Sequence, residues 1–458
     1  MDLTKSIETL FKKYLPSPFT IAVLLTVLTI VLALVFTEST TDENHLFGIL
    51  SFWEEGIWNT ALLEFAYQMM LILVLGHVLV LSKPMNNLIL KITKYGNNTA
   101  NAVVLVSVTT MCVAFFNWGL GLIFGAILAR KIGEQAQRNN RAINYPLIGA
   151  AGYVGLMVWH GGISGSAPIK VGESGHLKNL MNGISSNDVI LQLPTNINFG
   201  STVFSWWNLI VFGVILIVIP VVLYRMAKTT KPTALKLDVY QFDNSSNENS
   251  EGAEKLDHST IVAIGFGILL IIAFFYQYWS NMRSLQITPN MVNFFMLGLA
   301  IILHKRFSSF LKAVEEAIKG TSGILIQFPL YFGIMGIMKS TGMVIMISDF
   351  FVSIANQTTL PIVTFFSAGL VNIFVPSGGG QWAIQGPIVI ESALRLGVPL
   401  PKIVMALAYG DQITNMLQPF WALPLLGITK LKAKEILPYT LILMLVGVII
   451  YVLGLLLL

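Results

Sequence analysis

An anion can be held by a short run of backbone and small polar side chains that carry no charge of their own. Pro376-Ser377-Gly378-Gly379-Gly380-Gln381 has that composition: a helix breaker, a hydroxyl, three bare backbone units and an amide. Where a helix restarts after such a break, its first N–H groups lack partners and its positive dipole end favours negative charge. Ser377, Gly378, Gly379 and Gly380 would donate backbone N–H groups, Ser377 its hydroxyl and Gln381 its amide, an arrangement that suits a carboxylate. Asn117 and Gly119, in Asn117-Trp118-Gly119-Leu120-Gly121, are the equivalent residues in the first half of the chain. Glycine at such a tip also permits tight packing alone, so both readings stand at this point.

Two ionisable residues lie in apolar surroundings near further breaks. A carboxylate within a bilayer is costly without a role, and Asp411 could hold Na⁺, carry a proton, or cap a half-helix beginning at Ile413. His160, at the matching place in His160-Gly161-Gly162-Ile163-Ser164-Gly165-Ser166-Ala167-Pro168, could shuttle protons, donate to a substrate, or be a hydrogen-bonded structural histidine. Ser164, Ser166, Thr414 and Asn415 fall on the breaks, where their oxygens could bind a cation or substrate, or satisfy freed backbone. Glu64, Arg130 and Glu391 sit nearer the expected interfaces, where loop contacts account for them.

The elements that must position these residues follow from composition. The 458 residues are 55% hydrophobic and 11% charged, with mean hydropathy +0.73, against about 25% charged residues in soluble domains. Apolar runs recur without the period-2 alternation of a barrel, so the chain is an all-α polytopic membrane protein. The net charge of +5 comes from bases clustered in loops, which sets topology rather than a nucleic-acid surface. Cys112 is the single cysteine, so no internal disulfide can form, and inert packing is expected for it. The first apolar run has no small-residue cleavage site after it and is expected to be a retained span.

Lys12 and Lys13 before the first span, 17–36, and Glu38, Asp42 and Glu43 after it put the N-terminus in the cytoplasm. A span at 61–81 leads to an amphipathic stretch, 83–94. Two arms of about 15 residues then flank Asn117, each too short for a full crossing, which predicts a re-entrant hairpin. A helix from 145 breaks at His160, and a span at 201–224 returns to Arg225 and Lys228. Residues 1–225 form the first half, 226–258 a polar cytoplasmic linker whose 244–250 run has nothing to bury, and 259–458 the second half. That half has spans at 261–279, 291–303 and 324–338, amphipathic pieces at 307–319 and 343–355, a hairpin at Ser377, a break through Asp411 to Pro419, and a final span, 436–457, that ends outside.

The two halves carry the same order of parts. Glu54, Lys83, Asn117 and Pro168 match Glu315, Lys339, Ser377 and Pro419 at offsets of 261, 256, 260 and 251 residues. Charge puts the first hairpin inside and the second outside, so the expected fold is two inverted-topology repeats, each with a re-entrant hairpin and a discontinuous helix, as in secondary transporters.

The run Val375-Pro376-Ser377-Gly378-Gly379-Gly380-Gln381-Trp382-Ala383, with Gln385-Gly386-Pro387 and Gly410-Asp411-Gln412 after it, resembles the bacterial short-chain fatty acid transporter family, in the wider ion-transporter group of anion carriers. The similarity covers nearly the whole chain. It implies uptake of monocarboxylates such as butyrate or acetoacetate across the cytoplasmic membrane and paired re-entrant hairpins. It leaves the coupling ion open between Na⁺ and H⁺, and is compatible with a homodimer. Trp118, Trp382 and Trp421 then offer an apolar wall for a short acyl chain, or ordinary packing. No HExxH, GxSxG, phosphate loop or paired cysteines are present, so no enzyme is expected and no cofactor beyond a coupling ion. The rival functions are a carrier of another small organic anion such as a dicarboxylate, and an anion channel, for which two inverted halves are unnecessary.

Overall fold

In a lipid environment every backbone N–H must find a partner, and polar caps placed before apolar runs supply many of them here. The computed structural model of the chain describes residues 9, 11, 13–38, 44–181, 190–233, 237, 252–283, 288–319 and 321–457. Among these there is no strand. In the first half α1 is Pro18–Phe36, α2 His45–Ile57, α3 Thr60–Val80, α4 Lys83–Thr93, α5 Thr99–Phe116, α6 Trp118–Arg138, α7 Tyr145–Tyr153, α8 Ser166–Gly172, α9 His176–Met181 and α10 Trp206–Thr229. In the second, α11 is Thr260–Arg283, α12 Pro289–His304, α13 Phe307–Ile318, α14 Ser322–Ser340, α15 Met343–Ser353, α16 Leu360–Phe374, α17 Gly378–Leu396, α18 Leu400–Thr414, α19 Pro419–Thr429 and α20 Ala433–Leu457. Short 3₁₀ turns, Val154–Met157 and Asn415–Leu417, continue α7 and α18 into the two breaks. Seven described helices (α1, α3, α5, α10, α11, α14 and α20) are long and apolar enough to cross a membrane. The chain is an all-helical integral membrane protein.

The order α2 to α8 recurs as α13 to α19, and α20 follows as α10 does. Pairings between halves are reciprocal. Helix α2 packs on α14 while α13 packs on α3; α6 packs on α19 while α17 packs on α8; and the two 3₁₀ turns meet. Lys83 opens α4, whereas Lys339 closes α14, so the residue that matches Lys83 in this order is Met343, at the start of α15.

Several sequence expectations shift. The first hairpin's arms are 18 and 21 residues long, not about 15. The second arm runs on because Arg130 and Lys131 do not end it: both are buried and both pair with Glu134 at 2.9 Å, one helical turn away. Arg130 is therefore part of a helix interior rather than a loop contact. Glu391 pairs with Arg395 on α17, and Glu64 accepts from Gln68 Nε2 at 3.1 Å on α3. Cys112 is exposed on α5 instead of packed. The span expected from 201 begins at Trp206, where Ser205 Oγ accepts from the N–H of Asn208 at 3.3 Å. The polar linker residues 244–250 lie outside the described residues.

Candidate functional site

Broken backbone inside a membrane protein needs side-chain partners, and each break finds some of them in the opposite half. At the first break, Gln412 Oε1 accepts from the N–H groups of His160 (2.8 Å) and Gly161 (3.1 Å), and Asn208 Nδ2 donates to Gly161 O at 3.0 Å. At the second, Tyr153 Oη donates to the carbonyls of Asn415 (2.8 Å) and Gln418 (3.1 Å). The breaks are thus clamped together.

His160 Nδ1 stands 2.5 Å from Asp411 Oδ2, and both residues are buried. The N–H of Ala167 points at His160 Nε2 at 3.1 Å, so Nε2 must offer its lone pair and the ring proton sits on Nδ1, donated to Asp411. Asp411 Oδ1 is buried with no hydrogen-bond partner. Asp411 lies inside α18, and the next helix starts at Pro419 with Gln418 as its cap residue, so Asp411 is not the cap of a half-helix at Ile413. The α-helical turn simply persists three residues further, to Thr414, before the 3₁₀ turn begins.

Asn372, near the end of α16, was not legible as a site residue. Its Nδ2 lies 2.6 Å from Asp411 O, 2.9 Å from Thr414 Oγ1 and 2.7 Å from Asn415 Oδ1. An amide nitrogen has two hydrogens, so three oxygens crowd a group that can serve two. Asn372 Oδ1 and Gln418 Oε1 are meanwhile buried without partners. Turning the Asn372 amide over would add Oδ1 to the three oxygens at the negative end of α18, a donor set that fits a hard cation such as Na⁺.

The second hairpin tip touches the first break. Ser377 caps α17, its Oγ accepting from the N–H of Gly380 at 3.2 Å. A Cβ on Gly378 would stand 2.8 Å from His160 Cε1 and 2.9 Å from Trp159 Cη2, whereas one on Gly379 would meet only Ser166 Oγ at 3.9 Å. Gly379 instead lines a cavity of about 330 Å³ together with Ser164, Ser166, Lys170, His176 and Trp382. The first tip is more self-contained: Asn117 Oδ1 accepts from the N–H of Leu120 at 3.0 Å, and Ser164 Oγ accepts from the N–H of Trp118 at 2.9 Å. A Cβ on Gly119 would meet only ordinary contacts at 3.5 Å. Gln381 is wholly buried, its Nε2 donating to Ala368 O (2.8 Å) and Gln385 Oε1 (2.7 Å), so its amide N–H groups are spent inside the hairpin, while Oε1 has no partner.

The family model for short chain fatty acid transporters matches residues 1–458 of this chain. The chain belongs to the short-chain fatty acid transporter family. A relative from Escherichia coli (strain K12), whose name marks short-chain fatty acid transport as its inferred role, is 36% identical over 97% of this chain and 96% of its own length. Another, so named from Haemophilus influenzae, is 34% identical over 99% and 98%. Among solved structures, the YdaH transporter of Alcanivorax borkumensis covers 96% of this chain and 98% of its own at 14% identity and a TM-score of 0.43. MtrF of Neisseria gonorrhoeae, described as an antimetabolite efflux pump, covers 96% and 95% at 14% identity and a TM-score of 0.36. The short-chain fatty acid transporter family is a transporter family and not an enzyme family, which agrees with the missing catalytic motifs.

In this family member three sets of the expected site residues come together. His160, Asp411 and Gly378 meet; Thr414 and Asn415 gather on Asn372; Ser166 and Gly379 face the cavity. Asn117, Ser164 and Gln381 spend polar atoms on nearby helix ends and neighbours. The tryptophan wall is also regrouped. Trp118 and Trp421 meet edge-on with centroids 5.3 Å apart, and Trp159, which sequence reasoning passed over, joins them at 5.9 and 6.5 Å. Trp382 lies elsewhere, its Nε1 donating to His176 Nε2 at 3.0 Å across the cavity.

That last bond makes a pH prediction. Burial holds the His176 pKa below its ordinary 6.5, with Glu173 pulling it up and Lys170 pushing it down by lesser amounts. The folded protein therefore binds this proton more weakly than the unfolded chain, so the penalty is absent above about 6.5 and grows as pH falls below it. Protonation also removes the lone pair that accepts from Trp382. Melting of the parent is expected to shift downward between pH 7.5 and 5.5 relative to His176→Gln, and parallel pH profiles for the two proteins would refute it.

Proposed function

We propose that this chain takes up short-chain monocarboxylates of the butyrate and acetoacetate type across the cytoplasmic membrane, coupled to Na⁺ entry. The observation that carries the coupling is the buried oxygen set at the end of α18: Asp411 O, Thr414 Oγ1 and Asn415 Oδ1 around an amide that cannot serve all three. The Asp411 carboxylate, with one oxygen unmatched, supplies negative charge at the same helix end. The hairpin tip from Ser377 to Gly380 faces the other way in chemical terms, with helix N-terminal N–H groups that favour the substrate anion. Cation and carboxylate sites joined through the His160–Asp411 contact would move as one.

Two further parts of the reading are supported by the fold. The reciprocal pairing of α2 with α14 and α13 with α3, and of α6 with α19 and α17 with α8, fits two repeats of opposite topology, residues 1–225 and 259–458, joined by the polar segment 226–258. The bases at Lys91, Lys228 and Lys432 fit a cytoplasmic N-terminus and an external C-terminus.

Uptake of labelled butyrate into proteoliposomes tests the proposal. An inward tenfold Na⁺ gradient alone is expected to drive accumulation toward about tenfold, the limit for one ion per substrate. Accumulation under a pH gradient alone, without Na⁺ and above that of protein-free liposomes, would move the coupling to a proton on Asp411. Ohmic current without saturation would replace the carrier by a channel.

A further inference from the structure

Three aromatic donors are buried without any hydrogen-bond partner at the place where the two breaks approach the second hairpin tip. They are Trp159 Nε1, Trp421 Nε1 and Tyr331 Oη, on residues only 3%, 4% and 2% exposed. A buried donor left unmatched is destabilising, and it is rare enough in native proteins to require an explanation. Hydroxyl and indole N–H groups in such surroundings usually find an acceptor. His160, stacked on Trp159 at 4.5 Å, offers no free acceptor: its Nε2 accepts from Ala167 and its Nδ1 carries the proton donated to Asp411.

The donors share one aromatic cluster. Trp421 lies 6.5 Å from Trp159 and 5.0 Å from Phe420, and Phe420 lies 5.0 Å from Tyr331 and 4.0 Å from Phe328. Trp159 Cη2 is also the group that a Cβ on Gly378 would strike, one residue from Gly379 on the cavity wall. The cluster lies behind Gly378, beside the cavity wall, with N–H and O–H donors set among hydrocarbon rings. That is the chemistry of a short carboxylate with an alkyl tail: two acceptor oxygens at one end and a few methylene groups at the other.

Resting on the functional reading above, we infer that Trp159 and Trp421 bind the substrate carboxylate through their indole N–H groups. The tail lies against Phe328, Phe420 and Phe65 of α3, whose ring is 6.3 Å from those of Phe328 and Trp421, and Tyr331 Oη provides a third donor at the edge. Trp159 lies two residues past the 3₁₀ turn that ends the first broken helix and Trp421 in the first turn of α19 after the second, so one anion bridges the two halves. A bridging ligand reads the relative position of the halves, which gives the substrate its hold on the conformational change. Because the ring of Trp159 lies on His160, substrate capture is also passed to Asp411 and the cation end. A dicarboxylate would bury its second charge among the rings without a partner.

The test is calorimetric titration of sodium butyrate into the purified, detergent-solubilised protein. Trp159→Phe and Trp421→Phe keep one aromatic ring and remove the N–H donor with the five-membered ring that carries it, and each is expected to raise Kd about tenfold to a hundredfold, the loss of one charge-assisted hydrogen bond. Melting temperature is expected to fall modestly in both, since the smaller ring leaves a cavity in a buried cluster, so Kd is read well below either transition. Trp53→Phe is the control: its indole N–H is also unmatched, but it packs on Gly333 of α14, outside the cluster, and Kd is expected to stay unchanged. Butyramide, which lacks the charge, should compete at least tenfold more weakly than butyrate. If a Phe variant fails to fold, indole emission of the parent still decides. Saturating butyrate is expected to shift it, and the shift should survive in Trp53→Phe. Unchanged Kd in the two Phe variants, or an emission spectrum blind to butyrate, would overturn the indole site while leaving the carrier function intact. A parent that binds no monocarboxylate would overturn both.

Discussion

Asp411→Asn is expected to abolish concentrative uptake, bringing the butyrate accumulation ratio under a Na⁺ gradient down to about one, while exchange of internal for external butyrate continues. The substitution keeps the shape of the side chain and its contact with His160, whose Nδ1–H can donate to the amide oxygen as it does to Asp411 Oδ2. What disappears is the negative charge near the end of α18, on the residue whose own carbonyl joins the oxygens of Thr414 and Asn415 around Asn372. A cation held by neutral oxygens and a helix C-terminus alone loses most of its electrostatic hold, because charge–charge attraction inside a low-dielectric site is large. The substrate's own donors on the hairpin tip and in the aromatic cluster are untouched, so binding and exchange need no cation. Uptake and exchange measured on the same proteoliposomes separate the two. An Asp411→Asn protein that still concentrates butyrate would strip the residue of its coupling role. One that loses exchange as well would make the carboxylate part of the substrate site or of the scaffold.

The elements that carry the site were legible because membrane burial leaves strong marks. Ser377 and Asn117 stand out as polar residues between apolar runs, and both turn out to cap the helix that follows. What the chain hides is chemistry made by distant partners. Asn372 sits inside an apolar run, and its meaning comes from Asp411, Thr414 and Asn415, which no local pattern connects to it. Arg130 looked like the end of an element because a charge usually marks an interface, yet Glu134 one turn later neutralises it in place. Trp159 was passed over as one more apolar residue before a break; only the structure shows its N–H without a partner. Asp411 was visible as a costly charge, but its geometry depended on where α18 stops, and terminal turns are the least readable part of a helix.

The same distinction between pattern and contact governs the glycine run. By sequence, Gly378, Gly379 and Gly380 are equivalent donors, and Gly379→Val is the natural substitution to disturb the anion. By structure they differ: a Cβ at Gly378 would come within 2.8 Å of His160 Cε1 and 2.9 Å of Trp159 Cη2, while one at Gly379 meets only Ser166 Oγ at 3.9 Å. Neither ring near Gly378 can give way easily, because His160 is held by Asp411, Ala167 and Gln412, and Trp159 is packed against Trp118 and Trp421. Gly378→Ala is therefore expected to push the hairpin tip off the first break. Overpacking of this kind costs about 1–3 kcal/mol, which reduces the population of the joined arrangement by roughly fivefold to a hundredfold or more. Butyrate uptake should fall by a similar factor in correctly inserted protein. Gly379→Ala adds one methyl group to an open cavity wall and is expected to stay within about twofold of the parent, since a contact at that distance is ordinary. Initial rates in proteoliposomes, normalised to inserted protein, measure both. If the two variants fail alike, the run acts through its donors all along its length and the tip does not press on the break. If Gly378→Ala transports normally, the tip stands away from His160 during the rate-limiting step, and the contact belongs to one end of the cycle only.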